Sequence, residues 1–209
     1  MVRMRAAFFG GTFDPIHRGH LAIASAAADA FALDRVLFAP VGRQPLKGEA
    51  AVASFADRLE MAALACAAAS SRPDPRFAVT AVDAPRSDGR PNYTLDALAA
   101  LALEYPGAAL FILTGADSFL DLRRWRQSER LFELAEWIVV SRPEFPLTDA
   151  QLAPLALTAG ERARVHLLTS VHEDVSATEL RRRLQAGDRC PGLLPPAVVA
   201  YIEAHGLYR

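Results

Sequence analysis

Two hydrophobic patterns alternate along this chain. Short runs rich in Val, Phe, Ile and Leu are separated by longer alanine-rich stretches whose apolar positions recur at helical spacing. The runs predict strands at Met4–Phe9, Arg35–Val41, Phe77–Val82, Ala108–Thr114, Trp137–Ser141 and Val165–Leu168. The helical spacing predicts helices at Gly19–Phe31, Phe55–Ala69, Thr94–Leu103, Ser128–Leu134, Ala177–Gln185 and Pro196–His205. This is the order of a doubly wound α/β fold, a parallel sheet wrapped by helices. Leu147–Arg164 has only weak periodicity and receives no element. The 209 residues suit one such domain, spanning 1–209. In these sheets ligands bind outside the carboxyl ends of the strands, where the strand order reverses. The residues just after Phe9, at the end of the first strand, are therefore placed to border such a crevice.

Charge narrows the partners. Lys and Arg number 23 against 24 Asp and Glu, a formal net charge of −1, so no global field draws the chain to nucleic acid or an anionic membrane. Any anion site must be local. The apolar run after Arg3 and Arg5 stops at Gly10-Gly11, too soon for a signal peptide. Other runs are broken well before the ~18 residues a membrane span needs. Cys66 and Cys190 form no disulfide framework and fit a reducing compartment, so a cytoplasmic protein is expected. The oligomeric state stays open, a homo-oligomer included.

The stretch FFGGTFDPIHRGH, Phe8 to His20, concentrates unusual chemistry behind the first expected strand. Gly10 and Gly11, without Cβ atoms, let the backbone turn and come close to a ligand. The later glycines of a dinucleotide fingerprint and the Lys-Ser/Thr pair of a P-loop are missing. Another phosphate device is needed. His17 and His20 fall at a helix start, where unpaired N–H groups and the positive dipole end attract phosphate, and their spacing lets both rings share one face. Such donors suit charge developing on a transferring phosphoryl group. A metal pair is the competing reading, but His166, His172, His205 and the cysteines lack ligand spacing. Asp14-Pro15 reads as a turn.

A second anion site is suggested by DVSATELRRRL, Asp174 to Leu184. Ser176, Thr178 and Arg181 cluster at a helix start, which also reads as a capping box of Ser176 with Glu179. Both readings can hold together. Arg182 and Arg183 read as a solvated face. In FILTGADSFLDLRRW, Phe111 to Trp125, Gly115 reads as a strand-end turn, Asp117 as a helix cap and Trp125 as a helix anchor. The indole lies beside Arg123, Arg124 and Arg126 in sequence, and could stack an aromatic ring in a locally positive field. In RPNYTLDAL a loop enters a helix, with Thr94 capping.

GGTFDPIHRGH resembles the signature of the HxGH nucleotidyltransferase superfamily, and within it that of the bacterial nicotinate-nucleotide adenylyltransferases. DVSATELRRRL is similar to that family's I-S-S-T-x-[IL]-R, with Ala177 in place of serine, and RPNYTLDAL to its P-S-Y-T-x-D-T-L, with Asn92 in place of serine. The likeness runs from Phe8 to Tyr208, leaving mainly Leu147–Arg164 outside it. It implies a Rossmann-like nucleotidyltransferase fold and attack by the 5′-phosphate of nicotinate mononucleotide on the α-phosphorus of ATP. Nicotinate adenine dinucleotide and pyrophosphate result, a step of NAD biosynthesis.

The resemblance also implies roles. His17, His20 and Arg181 are the catalytic group, binding ATP phosphates with Ser176 and Thr178. Gly10, Gly11, Phe13, Gly115 and Asp117 belong to the ATP site, Asp117 near ribose hydroxyls. Thr12, Lys47, Tyr93, Thr94 and Trp125 belong to the acceptor site, Lys47 in a substrate loop at Pro40–Glu49. Mg²⁺ is implied with ATP, held through phosphate oxygens and water rather than by a carboxylate cage. The C-terminal helix and its Leu-Tyr ending are expected to pack and carry no chemistry. Two alternatives stay in view: a pantetheine-phosphate adenylyltransferase, whose motif usually reads T-x-G-H, and a non-catalytic nucleotide sensor on the same fold.

Overall fold

The computed structural model describes residues 3–46, 50–69, 76–141, 147–169 and 175–209. All the strands expected from the apolar runs form: β1 (Arg5–Gly11), β2 (Arg35–Pro40), β3 (Phe77–Val79), β4 (Ala109–Gly115), β5 (Glu136–Val140) and β6 (Val165–Leu168). They make one six-stranded sheet in the order β3-β2-β1-β4-β5-β6, with every pairing parallel. The order reverses between β1 and β4. That is the switch point at which a ligand crevice opens in a doubly wound sheet.

Side chains of β1 alternate between two cores. Ala7 and Phe9 pack into one, with Phe38, Met61, Ala65, Leu180, Val198 and Ile202. Ala6 and Phe8 pack into the other, with Leu98, Leu101, Ile112, Phe119, Leu131 and Trp137. The first face is therefore covered by α1 (Arg18–Ala30), α2 (Phe55–Ala67), α8 (Ala177–Gln185) and α9 (Pro196–His205). The second is covered by α3 (Thr94–Glu104), α4 (Ala116–Leu120), α5 (Ser128–Leu134) and α6 (Asp149–Leu152). A short α7 (Ala159–Ala163) leads into β6.

Three helices were not expected. α4 is one turn, carried by Phe119 and by Leu122 in the adjoining 3-10 turn, both fully buried. α6 and α7 lie in the weakly periodic segment, and each starts with a capping box, Thr148 with Gln151 and Thr158 with Glu161. β3 is shorter than its apolar run, because the Val82 N–H turns to the Thr80 hydroxyl, 3.2 Å away.

Candidate active site

The glycines after Phe9 act differently from expectation. Gly10 and Gly11 do not turn; they stay in β1, paired with Ala39 and Pro40. What they supply is room. A Cβ on Gly10 would stand 2.7 Å from the Phe8 ring, and one on Gly11 2.9 Å from the Phe13 ring. The turn comes later, at Phe13, whose φ of 50° lies in the left-handed region. Its ring is buried in the first core, 4.9 Å from the His20 ring. The Phe13 side chain thus props His20, and only its backbone is free to meet a nucleotide.

His17 caps α1 and His20 stands in its first turn. Their rings stack, with centroids 3.7 Å apart at 26°. The His17 backbone N–H donates to His20 Nδ1 at 3.2 Å. A backbone N–H can only donate, so His20 Nδ1 is an acceptor and the ring proton of neutral His20 sits on Nε2. Burial lowers the pKa of His17 to about 4. Burial, and then the nearby His17, hold that of His20 well below its ordinary value. Both rings are neutral donors at physiological pH. Among the described residues His17 Nδ1 is buried without a hydrogen-bond partner, the kind of orphan that functional sites retain.

Arg181 reaches the same loop from α8. Its Nη1 donates to the Asp14 carbonyl at 2.7 Å, and its Nη2 donates to the Thr178 hydroxyl at 3.2 Å. The capping box expected here does not form. Ser176 occupies the N-cap position, but its side chain makes no capping bond, and Glu179 instead pairs with Arg182, at 2.6 Å. Ser176 and Thr178 are both exposed at this helix start, where the first N–H groups have no partner within the helix.

On the other face of the sheet a cleft of about 480 Å³ opens between β1 and β4, lined by Gly10, Gly11, Thr114, Tyr93, Thr94, Trp125 and Asp83. Tyr93 occupies the N-cap position of α3 without a side-chain capping bond and Thr94 is the first helical residue, so the cap expected at Thr94 does not form. Trp125 leans edge-on against buried Trp137, with centroids 5.5 Å apart. Arg126 lies over the Tyr93 ring at 4.7 Å, and Arg124 pairs with Asp121 at 3.1 Å. Arg123 leaves the positive field expected around the indole. It donates to the Leu155 carbonyl at 2.7 Å and pairs with Glu161 at 3.3 Å, tying the 147–164 segment under the Trp125 turn. Gly115 is the N-cap of α4 and Asp117, expected to cap, is exposed in its first turn. Thr12 Oγ1 donates to Gln44 Oε1 at 3.4 Å on the cleft rim. Lys47 lies outside the described residues.

Opposite pH slopes of stability are expected from the two faces. His17 binds fewer protons folded than unfolded between its folded value of about 4 and the ordinary 6.5, so its contribution is intact above 6.5 and lost as pH falls. Urea unfolding at pH 7.5 and pH 5 should show His17→Asn losing about 2 kcal/mol less than the parent over that interval. Asp83 has the reverse sign: burial raises its carboxyl to about 7, helped by Asp96 and opposed by an Asn92 hydrogen bond. Its ionisation costs stability as pH rises from the ordinary 3.8 through 7. Asp83→Asn should be the more stable protein at pH 8, with its advantage gone by pH 4. Equal slopes in parent and variants would contradict both assignments.

The histidine pair with Arg181 on one face and the cleft on the other thus meet at Gly10 and Gly11. The cytidylyltransferase-like family model matches residues 8–183, which include both groups. A relative from Thermus thermophilus, named "probable nicotinate-nucleotide adenylyltransferase", is 42% identical over 206 residues, 99% of this chain and 100% of that one. The chain belongs to the nicotinate-nucleotide adenylyltransferase family. Relatives of the same name from Roseiflexus and Streptomyces coelicolor are 44% and 41% identical, each over 96% of this chain and 96% and 98% of their own. Among solved structures, a Plasmodium falciparum nicotinic acid mononucleotide adenylyltransferase complexed with NaAD superposes with a TM-score of 0.78. It covers 99% of this chain and 98% of that one at 17% identity, a likeness of fold. No helix among the described residues is long and apolar enough to cross a membrane.

In this member of the nicotinate-nucleotide adenylyltransferase family several site-building residues escape motif reading. Asn92, where the family has serine, accepts from the Arg43 N–H at 2.9 Å and donates to the Ala84 carbonyl at 2.8 Å. It pins the loop after β2 to the cleft wall, and Gly42 presses that loop so close that a Cβ would lie 2.4 Å from Pro85 N. Arg58, buried in α2, donates to the Thr12 carbonyl at 2.7 Å. A buried arginine in an otherwise apolar helical stripe was the available signal.

Proposed function

We propose that the protein transfers the adenylyl group of ATP to nicotinate mononucleotide, forming nicotinate adenine dinucleotide and pyrophosphate. The observation that carries this reading is the division of the site: neutral imidazole donors and Arg181 on one face of the sheet, an aromatic cleft on the other, joined across two glycines. A dinucleotide-forming reaction needs both. The mononucleotide's 5′-phosphate oxygen attacks the α-phosphorus, the bond from that phosphorus to the β-bridging oxygen breaks, and its electron pair leaves with pyrophosphate. The nucleophile is already an anion, so no protein base or covalent intermediate is required. The two cysteines are buried in the first core, and burial pushes the Cys66 thiol up to about 12, away from nucleophilic use.

Catalysis then rests on alignment and charge neutralisation. His20, with its Nε2 proton, and His17 donate to the α-phosphoryl oxygens as charge builds, and an approaching triphosphate favours their protonation. Arg181, with Ser176, Thr178 and the open end of α8, holds the outer phosphates. Gly10, Gly11, Gly115 and the backbone of Phe13 line the ATP side, with Asp117 at the ribose. Tyr93, Thr94 and Trp125 take the nicotinate ring, with Thr12 and Lys47 toward its phosphate. Mg²⁺ enters as part of the ATP substrate, carried by its phosphate oxygens. Among the described residues no three His, Cys, Asp or Glu side chains gather as a metal site. The Asp14 carboxylate is committed to protein donors. A cytoplasmic setting suits ATP as substrate and two unpaired buried thiols.

Pyrophosphate release, measured with ATP plus nicotinate mononucleotide, nicotinamide mononucleotide or phosphopantetheine, tests the reading. Release should be fastest with nicotinate mononucleotide. Release only with phosphopantetheine, or with none of the three, would overturn it.

A further inference from the structure

The turn that carries both histidines is held by a residue far away in sequence. Tyr208, after α9, is buried, and its hydroxyl donates to Asp14 Oδ1 at 2.6 Å. The same oxygen accepts from the Ala53 N–H at 3.1 Å, and Oδ2 accepts from the Val52 N–H at 2.7 Å. The Asp14 carbonyl in turn receives Arg181 at 2.7 Å. One residue, buried to within 3% of full exclusion, therefore anchors the approach to α1 through its carboxylate and the catalytic arginine through its backbone. Tyr208 itself adopts a φ of 58°, a left-handed conformation that a tyrosine takes only when its surroundings impose it.

We propose that Tyr208 is a positioning residue for adenylyl transfer, setting through Asp14 the relative placement of His17, His20 and Arg181. The inference rests on the proposed reaction and goes beyond packing of the C-terminal helix. Burial and the neighbouring Asp14 carboxylate keep the phenol protonated, so it serves only as donor to that carboxylate. Without it, Oδ1 keeps one backbone donor, and the loop and Arg181 are free to shift together. Misplacement by about 1 Å can cost a phosphoryl-transfer site on the order of a hundredfold. The cleft of Tyr93, Thr94 and Trp125 lies on the opposite face of the sheet, and Thr12 is held separately, by Arg58 at its carbonyl and Gln44 at its hydroxyl, so acceptor binding should be spared.

Tyr208→Phe removes one oxygen and keeps the ring. It should lower kcat about tenfold or more and raise KM for ATP, with KM for nicotinate mononucleotide within twofold of the parent. Tyr201→Phe is the control. It removes a hydroxyl from α9 that donates to Asp57 at 3.0 Å, outside the histidine loop, and should leave kcat within twofold. Asp14→Asn gives the second arm: combined with Tyr208→Phe, its loss should fall well short of the product of the single losses, because both act through one contact. A folded Tyr208→Phe with parental kcat, an equal loss in Tyr201→Phe, or multiplicative losses in the double variant would overturn the proposal. Inactivity of the parent with ATP and nicotinate mononucleotide would instead overturn the reaction on which it rests.

Discussion

His20→Ala is expected to lower kcat by about a hundredfold or more while the protein stays folded, the scale of removing one preorganised donor from a developing oxyanion. The size reflects how completely the ring is committed. Nδ1 is occupied by the His17 N–H at 3.2 Å, so Nε2–H is the one donor left for substrate. The ring cannot drift, because Phe13 and His17 flank it at 4.9 and 3.7 Å. Nor is it protonated in advance, because burial and His17 disfavour the charged form. Its proton is thus presented in a dry setting where a hydrogen bond to growing charge is strong. Alanine removes that bond and also frees the His17 N–H, a structural loss of about 1 kcal/mol that a melting curve would separate from catalysis. Steady-state turnover at saturating ATP and acceptor is the measurement. Turnover within a few-fold of the parent, in a folded variant, would contradict the role.

Trp125→Ala should show the complementary pattern. The KM for nicotinate mononucleotide is expected to rise about tenfold to a hundredfold, because stacking of one ring on an aromatic side chain contributes roughly 1–3 kcal/mol. The KM for ATP should change less, since the residues proposed to hold its phosphates lie on the opposite face and only Asp117, proposed at the ribose, shares the face of Trp125. Fold disruption is limited by geometry: Trp125 is half-buried on a surface turn, while Trp137 beneath it is fully enclosed and keeps the second core intact. Tryptophan fluorescence on titration with the acceptor alone gives an independent reading. A proportional rise in both KM values would show that the turn shapes the whole site and would contradict a dedicated ring pocket.

Much of this organisation was legible in the sequence for identifiable reasons. Strands buried on both faces must be continuously apolar, so each of the short runs marked a strand and their alternation with helices marked a parallel sheet. The histidine pair, the Ser176 to Arg181 cluster and the Tyr93-Thr94 segment were visible because each occupies a helix start. Four things were not visible. The 147–164 segment is two single-turn helices with a 3-10 turn, Ala153–Leu155, between them, too short for periodicity, although its Thr-x-x-Gln and Thr-x-x-Glu boxes marked both starts. The part of Gly10 and Gly11 depends on where the Phe8 and Phe13 rings lie, which is a tertiary fact. The clamp on Asp14 joins residues from Val52 and Ala53, just before α2, to Tyr208, and no local pattern announces a contact that spans most of the chain. Asp83 likewise reads as a loop carboxylate until the cleft wall closes over it.

The central claim is direct transfer of the adenylyl group to the acceptor's phosphate. It is tested most directly by supplying ATP with nicotinate mononucleotide whose terminal phosphate oxygens are ¹⁸O-labelled, and weighing the products. The account predicts nicotinate adenine dinucleotide carrying every label atom, one of them in the new P–O–P bridge, and unlabelled pyrophosphate. Label in the pyrophosphate, or adenylate bound covalently to the protein before acceptor is added, would contradict it.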